Sequence, residues 1–126
     1  MRILIVDDHA DYRRLAKAFV EKLGHEDIVA GDGREAVGRY RKEKPDAVLM
    51  DILMPVMDGI EALAVILSED PAARVVFLSV LDEFPEGTPR ELTSTFGIHH
   101  KPCSINEMKS ILEMLQVPSN QPVISH

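Results

Sequence analysis

Ile3-Leu4-Ile5-Val6-Asp7-Asp8 is the stretch that decides how this chain folds. Four apolar residues run without alternation into two adjacent carboxylates. An unbroken apolar run fits a strand covered on both faces, as in a parallel sheet. Such a strand should not end by pressing two like charges together unless something offsets their repulsion. Whatever sits there favours negative charge.

Working outward, the same kind of run recurs at Ala47–Met50 and Val75–Leu78, with a weaker one at Ile28–Ala30. Between the runs lie segments of helical spacing: Leu15, Phe19 and Leu23; Ala36, Val37 and Tyr40; Ile60, Leu63, Ala64 and Leu67. Their ends carry punctuation. Gly24 can close the first helix, and Asp32 with Glu35 has capping-box spacing before the second. Pro45 stops the second helix, and Asp58 can cap the third. Before the last helix Ser104 and Glu107 form a capping box, and Met108, Ile111, Leu112 and Leu115 make one face. Strand alternating with helix predicts an α/β fold with a doubly wound parallel sheet. The segment 117–126, VPSNQPVISH, has two prolines and no period, and is expected to be a flexible tail or linker stub after a domain at 1–116.

Composition narrows the class. The 126 residues suit one domain, large enough to bury roughly two thirds of the unfolded surface. With 45% hydrophobic and 28% charged residues the chain is ordinary globular material. A net charge of −7 argues against direct nucleic-acid binding. No apolar stretch approaches the ~20 residues that cross a bilayer, and the short N-terminal run ends in acid, unlike a signal peptide. The single cysteine, Cys103, excludes an intrachain disulfide and fits a reducing compartment, so a cytoplasmic domain is expected.

Ligands of such sheets bind outside the carboxyl ends of the strands. Asp7 and Asp8 follow the first run, Asp51 the run at 47–50, and Ser79 the run at 75–78. Lys101 and Pro102 stand where a short fifth strand would end. Three carboxylates, a hydroxyl and an ammonium therefore meet on one rim. Oxygen ligands in that number suit a hard divalent cation, most simply Mg²⁺. Each residue also has an ordinary reading. Paired acids before a helix often serve its N-terminus, Asp51 could be a turn residue, and a lone serine or lysine is common on surfaces. Four strand ends carrying the right groups in one topology favour the site. His99 and His100 are neighbours in a strand and point to opposite faces, so they do not chelate one ion. Met50, Met54 and Met57 read as core and loop filler, and Cys103 as a small, partly buried residue.

With IVDD at 5–8, DAVLMDILMPVMDG at 46–59, FLS at 77–79 and HKP at 100–102, the chain resembles the receiver domain of two-component response regulators. The likeness extends to about Gln116. It implies a five-stranded, flavodoxin-like sheet and a signalling phospho-acceptor rather than an enzyme, one that catalyses its own phosphorylation and slow dephosphorylation. Asp51 would take a phosphoryl group from a sensor histidine kinase, a phosphotransfer protein or a small phosphodonor. Asp8, Asp51 and the Leu53 carbonyl would ligate Mg²⁺ directly, and Asp7 mainly through water. Ser79 would bond the phosphoryl oxygens, Lys101 would pair with them, and a switched surface would engage a downstream effector. Pro102 suggests a cis bond that aims Lys101 inward.

Rival readings fit less well. A flavodoxin-like cofactor binder needs a small-residue phosphate loop where this chain has DDHAD. A phosphorylation-independent pseudo-receiver typically lacks an acid or the lysine, and this chain keeps all of them. An aspartyl phosphatase would place its nucleophile after the first strand. The departures from the family pattern are local. Pro85, Gly87 and Pro89 interrupt the region where the family has a long fourth helix. The sequence predicts a loop over 82–88 and a short helix from Pro89 to Phe96, capped by Thr88 and Glu91 and closed by Gly97. Ile98 stands where the family usually has an aromatic, so activation is expected to move the 82–98 region rather than to rotate a ring. Leu53 and Leu81 flank the expected path of the hydrolytic water and can neither donate nor accept a hydrogen bond. Branched Val80 should narrow the way in. Together they predict a long-lived phosphoryl group.

Overall fold

In the computed structural model, which describes residues 1–93 and 96–117, each unbroken apolar run is a strand. The strands are β1 (Arg2–Val6), β2 (Glu26–Ala30), β3 (Ala47–Met50), β4 (Val75–Ser79) and β5 (Ile98–His100). The helices are α1 (Ala10–Lys22), α2 (Gly33–Glu43), α3 (Gly59–Glu69), α4 (Arg90–Thr93) and α5 (Ile105–Gln116). All pairings are parallel, in the order β2-β1-β3-β4-β5. The order turns back on either side of β1 and β3, which puts the switch point at those two strand ends.

The lack of alternation has its physical cause in two cores. Leu4, Val6, Val48, Met50 and Phe77 face one side with α2 and α3, while Ile3, Ile5, Leu49 and Val76 face the other with α1 and α5. Successive residues of one strand thus serve different layers, and both must be apolar.

The helix ends obey their punctuation with local differences. Asp32 accepts from Glu35 N (2.8 Å), but Glu35 reaches Gly31 N (3.2 Å) rather than its own cap, so that box is half formed. Asp58 caps α3 through Glu61 N at 2.8 Å, and the Ser104–Glu107 box is complete. Gly24 takes φ +89°, as a helix-closing glycine should. The buried face of α3 is Gly59, Ala62, Leu63 and Ile66, whereas Ala64, expected inside, is exposed. The close approach of Gly59 to the end of β3 sets that rotation: a Cβ there would lie 2.1 Å from the Asp51 carbonyl oxygen.

The anticipated short fourth helix is present, but it starts at Arg90 rather than Pro89, and Phe96 lies outside it. Residues 94 and 95 fall outside the described residues. Gly97 has φ +88°, and the Thr88 hydroxyl donates to the Pro85 carbonyl at 2.6 Å, tightening the preceding turn. That loop is anchored by Phe84, whose ring packs edge-on against Phe77 (centroids 5.8 Å). Of the anticipated tail only Val117 is described; residues 118–126 lie outside.

Candidate functional site

Three of the site residues take the first position beyond a strand, and the ladder still holds their backbone. Asp7 N donates to Ala30 O (3.1 Å), Asp51 N to Val6 O (2.9 Å) and Lys101 N to Ser79 O (3.0 Å). Ser79 itself ends β4. A peptide bonded on this pattern fixes where the side chain starts, so the rim is set by sheet geometry rather than by loop conformation.

These side chains are deeply placed: Asp7 is 6% exposed, Asp51 3%, Ser79 0% and Lys101 5%. Buried charges need partners. Lys101 Nζ donates to Asp7 Oδ2 and Asp51 Oδ2, both at 2.8 Å, joining residues far apart in sequence. The opening puzzle thus has an answer within the chain: an ammonium stands between the first and third acids. The Lys101–Pro102 peptide is cis, as the sequence suggested. Burial alone would lower the Lys101 pKa, but hydrogen bonds to Asp51 and Asp7 outweigh it and hold the ammonium above the ordinary lysine range.

The other oxygens are spoken for in part. Asp7 Oδ1 accepts from His9 N (2.9 Å), and Asp51 Oδ1 from Ile52 N (2.7 Å). Asp8 is less buried, with His9 Nδ1 at 3.3 Å from its Oδ1. Neither acid caps α1: the N-cap is His9, which makes no side-chain capping bond. Asp7, Asp8, His9 and Asp51 each offer a ligand atom, and these atoms lie within 4.8 Å of one another. The three carboxylate oxygens among them fit a hard cation with retained waters, while His9 offers a nitrogen. Ser79 Oγ accepts from Leu81 N at 3.1 Å.

The loop after Asp51 is pinned by glycines. Gly59 N donates to Ile52 O (2.8 Å) and Gly33 N to Met57 O (3.0 Å), approaches that a side chain would block. Leu53 is 52% exposed within this loop, and Val56 takes φ +69°, a left-handed conformation that costs a β-branched residue dearly. His99 and His100 pair with Leu78 and Ser79 on β4 and join no metal cluster among the described residues.

Three contributors escaped the sequence reading. His9 joins the acidic cluster, Arg13 Nη1 donates to the Asp7 carbonyl (2.6 Å), and the Tyr12 ring lies against Lys101 Nζ, 4.5 Å from its centroid. All three come from the start of α1. No spacing rule marks them, because they meet the site only through the β1–α1 turn.

Residues 3–113 match the family model of the response regulator receiver domain. The chain belongs to that family. This receiver domain is 46% identical over 85 residues to the chemotaxis protein CheY of Thermotoga maritima, covering 65% of this chain and 69% of that one. It is 34% identical over 126 residues to the regulatory protein AtoC of Escherichia coli, spanning 99% of this chain but 27% of AtoC. Among solved structures it resembles a chain of the CheX–CheY–BeF3–Mg²⁺ complex of Borrelia burgdorferi. That match has a TM-score of 0.84 and 29% identity, and covers 94% of this chain and 90% of that one. Family and fold therefore agree with the doubly wound receiver that the sequence predicts, and the receiver domain is a signalling module of two-component systems. None of its described helices is long and apolar enough to cross a membrane.

Proposed function

We propose that Asp51 is the phospho-acceptor of this receiver domain and that Mg²⁺ binds beside it. The observation that carries the reading is the buried Asp51 carboxylate sharing one ammonium with Asp7, with Asp8 alongside, at the switch point of the sheet. Asp8, Asp51 and the Leu53 carbonyl would hold the ion, with Asp7 acting through water. When bound, the ion supplies charge neutralisation for the transferred group.

The chain's own residues supply the rest. An Asp51 carboxylate oxygen forms the new bond to phosphorus as the P–N bond of a phosphohistidine donor, or the P–O bond of a small donor, breaks, and the donor nitrogen or oxygen leaves with the electron pair. Lys101 already touches Asp51, so it needs only a small side-chain shift to follow charge onto the phosphoryl oxygens. The Ser79 hydroxyl, tied here to Leu81 N, is the group whose bonding would change on phosphorylation. That change would be passed to 82–98, where Phe84 rests on Phe77 and Ile98 on the same core. Partners in this reading are a sensor histidine kinase or phosphotransfer protein and a downstream effector.

Labelling from a small acyl phosphate, with and without Mg²⁺, tests the reading on wild type, Asp51→Asn and Asp8→Asn. Label should require Asp51 and the ion. Equal labelling of wild type and Asp51→Asn would overturn the assignment, and ion-independent labelling would overturn the role of Mg²⁺.

A further inference from the structure

Lys101 has three ammonium N–H groups, and two are committed to Asp7 and Asp51. The remaining side of the nitrogen meets the face of Tyr12, 4.5 Å from the ring centroid. This is cation–π range, in surroundings where the interaction is little screened. Lys101 is buried, and the ring lines an apolar cavity of about 30 Å³ with Phe19, Cys103 and Met108. The ring is itself held: its partner at the edge is His9, with centroids 6.0 Å apart and planes at 84°.

We infer that Tyr12 is a positioning residue for phosphoryl transfer, its ring face fixing where the Lys101 ammonium sits. The inference rests on Asp51 being the acceptor. During transfer the Asp51 carboxylate becomes an acyl phosphate, and its own negative charge passes to phosphoryl oxygens beyond it. The Lys101–Asp51 contact must then be exchanged for one to a phosphoryl oxygen. The contact with the Tyr12 face need not change, because the ring takes no part in the chemistry. Four rotatable bonds separate the ammonium from the backbone, so a fixed third contact limits how far it strays while one anionic partner is replaced. The ring face provides this contact; the hydroxyl is not required.

The experiment measures the rate of labelling from acetyl phosphate in saturating Mg²⁺. It compares wild type, Tyr12→Phe, Tyr12→Leu, and proteins with phenylalanine carrying one, two or three ring fluorines at position 12. Fluorination weakens the negative face stepwise with little change of shape. Tyr12→Phe should label at the wild-type rate, Tyr12→Leu about 3- to 30-fold more slowly, and the fluorinated series should fall in order. The ring-current shift on the Lys101 ε-methylene protons should vanish in Tyr12→Leu and persist in Tyr12→Phe. Wild-type labelling by Tyr12→Leu, a rate indifferent to fluorination, or a loss in Tyr12→Phe equal to that in Tyr12→Leu would each overturn the inference. Failure of wild type to label, or equal labelling of Asp51→Asn, would instead remove the acceptor assignment beneath it.

Discussion

Lys101→Met should expose the structural work of the lysine. The substitution keeps most of the stem volume but removes the charge between two carboxylates that are almost wholly buried. Breaking a buried pair by deleting one partner costs ~3–5 kcal/mol, because the remaining charge is left without its partner. Here Asp7 keeps its bond from His9 N and Asp51 its bond from Ile52 N, so the lower end applies, about 3 kcal/mol. For a domain of this size that corresponds to a fall in Tm of roughly 10 °C. Urea unfolding followed by circular dichroism in EDTA measures it directly.

Two further readings make this more than a generic loss of stability. In wild type the folded-state pKa of Lys101 is raised, so its contribution is complete below the ordinary lysine value. It is lost only as pH climbs through the higher folded value, and stability owed to Lys101 should be flat from pH 5 to 9. Mg²⁺ should also stabilise the variant more than wild type, since three carboxylates no longer have an ammonium among them; at 100 times its Kd a ligand adds ~2.7 kcal/mol. A variant within ~0.5 kcal/mol of wild type in EDTA, well below the loss expected for a broken buried pair, would refute the account of the cluster. So would a deficit indifferent to Mg²⁺, or one that changes between pH 5 and 9.

Val56→Gly should stabilise the domain. A left-handed backbone costs a residue with a Cβ ~1–2 kcal/mol, glycine returns ~0.5–1 kcal/mol in entropy, and a side chain 76% exposed has little burial to lose; calorimetry should show a Tm 2–4 °C higher (about 0.5–1 kcal/mol). Gly59→Ala should cost about 2–3 kcal/mol in urea unfolding, because the new Cβ has the Asp51 carbonyl in its way, and should slow labelling by displacing Asp51. Leu53→Asn with Leu81→Glu should shorten the lifetime of phospho-Asp51, followed as loss of label after donor removal, since a hydrogen-bonded water can be worth ~10²-fold in rate. An unchanged lifetime would place control of water access elsewhere.

The fold was legible because burial on both faces writes itself as unbroken apolar runs, and the candidate site because the runs at 3–6, 47–50 and 75–78 lead directly into Asp7, Asp51 and Ser79. What stayed hidden depends on three dimensions. That Lys101 lies across Asp7 and Asp51, rather than waiting for a phosphoryl group, follows from its reach over the sheet edge. The face of α3 turned because Gly59 is drawn against Asp51, which the periodicity of Ile60, Leu63, Ala64 and Leu67 does not encode. Tyr12 reads as an ordinary residue of the first helical turn, and Val56 as an ordinary loop valine; ring contact and backbone angle are not sequence patterns. The short α4 was anticipated from Pro85, Gly87 and Pro89, but propensity places such a boundary only to within a residue or more.

A division of labour follows from where the hydrogen bonds lie. Asp7, Asp51 and Lys101 have their N–H groups tied to Ala30, Val6 and Ser79, so their backbone cannot shift without breaking the ladder. The loop that would supply the Leu53 carbonyl is clamped at both ends by Gly33 and Gly59. A phosphoryl group arriving at Asp51 therefore meets a wall that does not yield on the β1–β3 side. On the β4–β5 side, β5 has three residues and α4 four, with a proline- and glycine-containing loop between β4 and α4. Short elements with few enclosed hydrogen bonds occupy the low-stability end of a structure. Ser79 sits at the junction, its carbonyl in the ladder and its hydroxyl on Leu81 N, the first bond of the yielding segment. A phosphoryl oxygen would accept from the Ser79 hydroxyl, and if Oγ turns toward it the bond from Leu81 N lengthens, which would bias the proposed switch region 82–98 to rearrange. Phe84 is the anchor it would have to slip.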